Sequence, residues 1–85
     1  MRELSEIRKD IDVLDNKLLD LFLKRQALSQ EVAEYKYIHG MSVFDASREQ
    51  EKLHEIQNLP KDCQEFLCAL MNLSKSLQQD YIDKQ

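Results

Sequence analysis

Eighty-five residues make one domain, 1–85, with a modest core, because a chain this short buries only about 60% of its unfolded surface. One glycine and one proline leave few turn residues, while Leu, Lys, Glu, Gln, Asp and Ala supply helix formers, so the expected class is all-α. The formal charge of −4 excludes a nucleic-acid or anionic-membrane surface and leaves any anionic ligand to a local cluster of bases.

The first element runs from Leu4 to about Ile38 without Pro or Gly. Leu4, Ile7, Ile11, Leu14, Leu18, Leu21, Leu28 and Val32 recur at helical steps and keep one face apolar, and Leu19 and Phe22 widen the stripe. His39-Gly40 ends the helix, with Gly40 as a left-handed C-cap. A second helix is predicted from about Asp45 to Asn58, N-capped by Asp45 or Ser42. Asn58-Leu59-Pro60 breaks the chain. A third helix, from about Lys61 to Ile82, carries Phe66, Leu67, Leu70, Met71, Leu73 and Leu77. Cys63 and Cys68 lie roughly 140° apart around that helix, cannot bridge, and are read as reduced packing residues. No apolar run reaches the roughly 18 residues of a membrane span. Met1-Arg2-Glu3-Leu4-Ser5 resembles no secretory signal, so the expected location is cytoplasmic.

Length decides the architecture. A first helix of this size is a rod of roughly 50 Å, whereas a compact chain of this length has a diameter of about 30 Å. Roughly 20 Å of apolar stripe would project into water, more than two short helices can cover. The expectation is an intertwined homodimeric bundle with the long helices packed together; the plainer rival is a coiled-coil dimer carrying two appended helices.

Polar residues interrupt the apolar faces. Arg25 falls between Leu21 and Leu28, and Lys36 falls four after Val32, both where the stripe calls for a hydrophobe. Eleven residues separate them, three turns, so they share a side at about 16 Å. Inward-facing cations are costly unless they snorkel, pair with acids, or meet an anion. On the third helix, Ser74 and Gln78 interrupt the face of Leu67, Met71 and Ile82, either bonding between helices or awaiting a ligand. Asp45, Arg48 and Glu49 share the first turn of the second helix, where free amides add donors. Glu51, Lys52, Asp80 and Asp83 read as solvated residues. Together the interruptions describe a pocket for a small dianion bearing a hydroxyl. No nucleophile–base pair, metal set or phosphate loop is visible, so the chemistry is positioning and electrostatics without a cofactor.

These residues resemble the all-α (AroQ-class) chorismate mutases. The resemblance rests on Ile7-Arg8-Lys9-Asp10-Ile11-Asp12 through Leu14-Asp15, on Arg25 within Leu23-Lys24-Arg25-Gln26, and on Lys36 eleven later. Val43-Phe44-Asp45-Ala46-Ser47-Arg48-Glu49 and Leu73-Ser74-Lys75-Ser76-Leu77-Gln78 complete it, with a shorter second connection than in longer members.

The resemblance implies that Arg25 and Lys36 bind the two carboxylates of chorismate, with Arg8 supplied by the partner subunit. Lys36 and Gln78 would donate to the ether oxygen whose bond breaks. Glu49 and the backbone at Asp45 would hold the ring hydroxyl, Ser74 would touch the ring carboxylate, and Arg48 would lie nearby, partly through water. Geometry bears on Arg8 independently: it lies about 25 Å from Arg25 along one rigid helix, too far to share a metabolite-sized site within one chain. The alternatives are a lyase of the same fold that removes pyruvate from isochorismate, which Asp45 and Glu49 argue against, and a non-catalytic adaptor or regulatory module.

Overall fold

A computed structural model describes residues 1–85, Met1–Gln85, as three helices without a strand: α1 (Leu4–Ile38), α2 (Ala46–Ile56) and α3 (Lys61–Asp83). The end of α1 follows the sequence expectation. Gly40 sits at φ +65°, its N–H donates to the Tyr37 carbonyl, and the Met41 N–H donates to the Lys36 carbonyl at 2.8 Å. This pairing is a Schellman closure, which satisfies the last carbonyls of the helix. Asp45 rather than Ser42 caps α2, its Oδ1 accepting from the Arg48 N–H at 3.1 Å. Ser42 Oγ instead accepts from the Phe44 N–H within the loop.

The second helix stops at Ile56, two residues before Asn58. The Gln64 side chain reaches back from α3 and donates to the Gln57 and Leu59 carbonyls, fixing the corner as a turn. Pro60 then stands at the N-cap of α3, where its missing N–H costs nothing.

Residue numbers rise together across the α1–α3 interface. Arg25 meets Leu70, Ser29 meets Ser74, and Lys36 meets Gln78, so the two helices run parallel and α2 is the return stroke. That interface holds the chain together, and α2 leans on it more lightly. The buried hydrophobic residues are Ala33 and Ile56 alone. Cys63 and Cys68 are both free, the first exposed and the second half-buried. No helix is long and apolar enough to cross a membrane.

The third helix covers only the C-terminal half of α1. Every residue from Met1 to Leu21 is exposed, and Leu14 and Leu18, on the apolar stripe, keep 57% and 51% of their surface. The chain measures 56 × 30 × 14 Å with a radius of gyration of 16.6 Å, against about 12 Å for a compact chain of this length.

Gly40 offers a direct check on the α1 terminus. A Cβ there would meet nothing within 4 Å, so replacement costs only the left-handed backbone conformation. Gly40→Ala is expected to destabilise the fold by about 1 kcal/mol. Urea unfolding should show a lower midpoint at unchanged slope.

Candidate active site

Between α1, the start of α2 and α3 lies a cavity of about 320 Å³. Its apolar walls are Leu28, Val32, Val43 and Met71. From α1 come Arg25, Ser29 and Lys36, at steps that keep them beside Leu28 and Val32 on one helical face. The third helix contributes Ser74, Lys75 and Gln78, all within one turn. Asp45, Arg48, Glu49 and Lys52 enter from α2 and its cap. Five cations therefore face two carboxylates inside a chain whose overall charge is −4.

A continuous set of hydrogen bonds crosses the floor. Lys36 Nζ donates to the Val43 carbonyl at 2.9 Å and to Gln78 Oε1 at 3.0 Å. Gln78 Nε2 donates to Ser74 Oγ at 3.1 Å, and Ser74 Oγ lies 2.6 Å from Ser29 Oγ. Ser29, Ser74 and Gln78 are buried, and Lys36 is half-buried. The arrangement fixes the Gln78 amide: its oxygen faces Lys36, so its nitrogen presents the donors. An ammonium has three N–H groups and an amide nitrogen two. One donor on each therefore has no protein acceptor, and the two groups are adjacent.

Arg25 is equally underused. Its Nη1 donates to the Leu70 carbonyl at 3.2 Å, and no carboxylate pairs with it or with Lys36. Holding two half-buried cations without a counter-charge is unfavourable, and an anion in the cavity relieves it. Glu49 is paired with Lys75 across the helices, while Arg48 turns outward to Glu51 at 3.8 Å. Asp45 spends its side chain on the cap, accepting from the Arg48 N–H, and its carbonyl accepts from the Glu49 N–H at 3.0 Å.

Arg25, Lys36, Asp45, Arg48, Glu49, Ser74 and Gln78 thus line one cavity, and Arg8 does not. Arg8 is exposed on the uncovered half of α1, about 25 Å from Arg25 along the helix. Lys75, Ser29 and Lys52 are cavity residues that the sequence did not single out. Lys52 was read as a solvated residue; it borders the cavity while its ammonium donates to Glu55 at 3.3 Å. Ser29 carried a signal, standing four after Arg25 and three before Val32 on the interrupted stripe. No group of three or more His, Cys, Asp or Glu side chains converges at metal-ligating spacing.

Comparison with known proteins bears on this cavity directly. The chorismate mutase type II family model matches residues 7–83, which include every residue of the cavity lining. The chain belongs to this family. A chorismate mutase of Methanocaldococcus jannaschii is 33% identical over 91 residues, spanning 99% of this chain and 92% of that protein. A bifunctional chorismate mutase/prephenate dehydratase of Aquifex aeolicus is 27% identical over 96 residues, 96% of this chain but 26% of that protein. The T-protein of Haemophilus influenzae is 39% identical over 49 residues, 58% of this chain and 13% of that protein. The chain thus spans nearly all of the first chorismate mutase and about a quarter or less of the other two. No solved structure matches it significantly.

Proposed function

We infer that the chain is a chorismate mutase, converting chorismate to prephenate in aromatic amino-acid biosynthesis by a concerted [3,3] rearrangement. The observation that carries this reading is the pairing of two half-buried cations, Arg25 and Lys36, that lack carboxylate partners with a Gln78 amide whose oxygen faces Lys36 and whose nitrogen keeps one N–H without a protein acceptor. A dianion supplies the missing counter-charge. One C–O bond breaks as one C–C bond forms, so no proton moves and no covalent adduct is made.

In this reading Arg25 and Lys36 hold the two carboxylates. The remaining donors of Lys36 and Gln78 meet the ether oxygen, where negative charge grows as the bond breaks. Donors already in place stabilise that charge more in the transition state than in the ground state. Ser74 touches the ring carboxylate, Arg48 lies near it partly through water, and Glu49 with the Asp45 backbone holds the ring hydroxyl. Held at both ends, the substrate is confined to the compact diaxial chair that solution disfavours, a near-attack geometry.

The same reading includes a second copy of the chain. An antiparallel pairing of two α1 helices covers the stripe from Leu4 to Leu18, which the lone chain leaves exposed. It also carries Arg8 of one subunit toward Arg25 of the other, as an isologous two-fold interface does twice over.

Purified protein incubated with chorismate is expected to consume it and to give phenylpyruvate after acid treatment. Salicylate from isochorismate would indicate the lyase instead, and an intact protein with no turnover of either would indicate a non-catalytic module.

Gln78→Glu tests the donor role. An ionised carboxylate keeps the bond from Lys36 but can only accept, so the ether oxygen loses a partner. Loss of one such donor costs about 10²–10³ in kcat. The variant is expected to be nearly inactive at neutral pH and to recover as pH falls and the carboxyl regains its proton. A pH profile parallel to the parent's would contradict the donor role.

A further inference from the structure

Lys75 belongs to none of the roles above, yet it makes the one ion pair that joins two helices. The others, Arg2–Asp10, Arg48–Glu51 and Lys52–Glu55, each stay within a single helix or its lead-in. Lys75 Nζ, on α3, donates to Glu49 Oε1, on the first turn of α2, and both side chains line the cavity. The Lys75 side chain is 38% exposed and that of Glu49 27%. Ser74 and Gln78 use the face of α3 turned to α1, and Lys75, one position on, points from its flank toward α2.

This contact divides the Glu49 carboxylate between two tasks. Oε1 accepts from Lys75, whereas Oε2 has no protein donor and remains for a hydroxyl. It also offsets a repulsion, because a carboxylate set beside a dianion is unfavourable unless a cation accompanies it. The sparse packing of α2 on the rest of the chain gives the contact more to do, since little else ties this first turn to α3.

We propose that Lys75 is a positioning residue: it holds Glu49 at the cavity wall with one oxygen presented to the substrate's ring hydroxyl. The proposal rests on the chorismate mutase reading, and turnover of chorismate by the parent protein tests that reading separately. The ring hydroxyl takes no new charge as the ether bond breaks, so its contact is felt equally in ground and transition states. Such an interaction appears in KM rather than in kcat.

The experiment is steady-state kinetics with chorismate on four proteins beside the parent: Lys75→Met, Lys75→Arg, Glu49→Ala and the double variant Glu49→Ala/Lys75→Met. Lys75→Met keeps the stem and removes the charge; its KM should rise on the order of tenfold with kcat within about twofold. Lys75→Arg should restore most of that loss, because a guanidinium also donates to a carboxylate. In the Glu49→Ala background, which removes the acceptor, Lys75→Met should change KM little further, since the two residues act through one contact. An unchanged KM in Lys75→Met would overturn the proposal. So would an undiminished loss in the Glu49→Ala background, which would mean that Lys75 acts on the substrate directly. A fall in kcat that Lys75→Arg does not repair would equally count against it.

Discussion

A rigid helix longer than the rest of its chain can cover sets the terms for this protein. The first helix has 35 residues, and α3 packs chiefly against its C-terminal half. The other half presents Leu4, Ile7, Ile11, Leu14 and Leu18 to solvent along one stripe. Burying a side chain of that size contributes about 1.5–3 kcal/mol. With Ala33 and Ile56 as its only buried hydrophobic residues, a lone chain has little else to stabilise it. The proposed dimer serves stability and the site together, because the surface that needs a partner is also the surface that carries Arg8.

The cavity rests on a second constraint, the mismatch between local and global charge. The chain carries −4 overall and still gathers five cations around one cavity, of which Arg25 and Lys36 have no carboxylate to answer them. In the proposed function that arrangement sacrifices stability for binding, with each half-buried charge answered by the substrate dianion. The hydrogen bonds from Lys36 through Gln78 and Ser74 to Ser29 keep the donors oriented meanwhile. Preorganisation of this kind suits a rearrangement in which charge shifts within the substrate and no proton changes hands.

Much of this was legible in the sequence because helices write their faces with a fixed period. The bounds of α1, the glycine closure at Gly40 and the start of α3 depend on local chemistry, and the structure places them where the pattern does. Arg25, Lys36, Ser74 and Gln78 stood out by interrupting an apolar stripe, and they line one cavity. The end of α2 was less legible, since the Gln64 side chain that closes that corner comes from the next helix. Lys75 gave no signal for the same reason. It interrupts nothing on its own helix, and its meaning lies in Glu49, which is 26 positions away. Lys52 looked solvated because it pairs with Glu55 on the surface of its own helix, and its place at the cavity depends on how α2 sits against the other helices.

In the proposed dimer each active site is completed across the interface, with Arg8 from one subunit and Arg25, Lys36, Glu49 and Gln78 from the other. Complementation measures it most directly. Arg8→Ala and Arg25→Ala homodimers should each be nearly inactive, because every site lacks one charge-assisted contact to the dianion. Unfolded together in equal amounts and refolded, about half the dimers should be mixed, each with one doubly substituted site and one intact site. About one quarter of the parent activity should then return. If Arg8 serves its own chain, every site in the mixture carries one substitution and nothing recovers. An inactive mixture, with mixed dimers confirmed by mass spectrometry, would contradict the shared site.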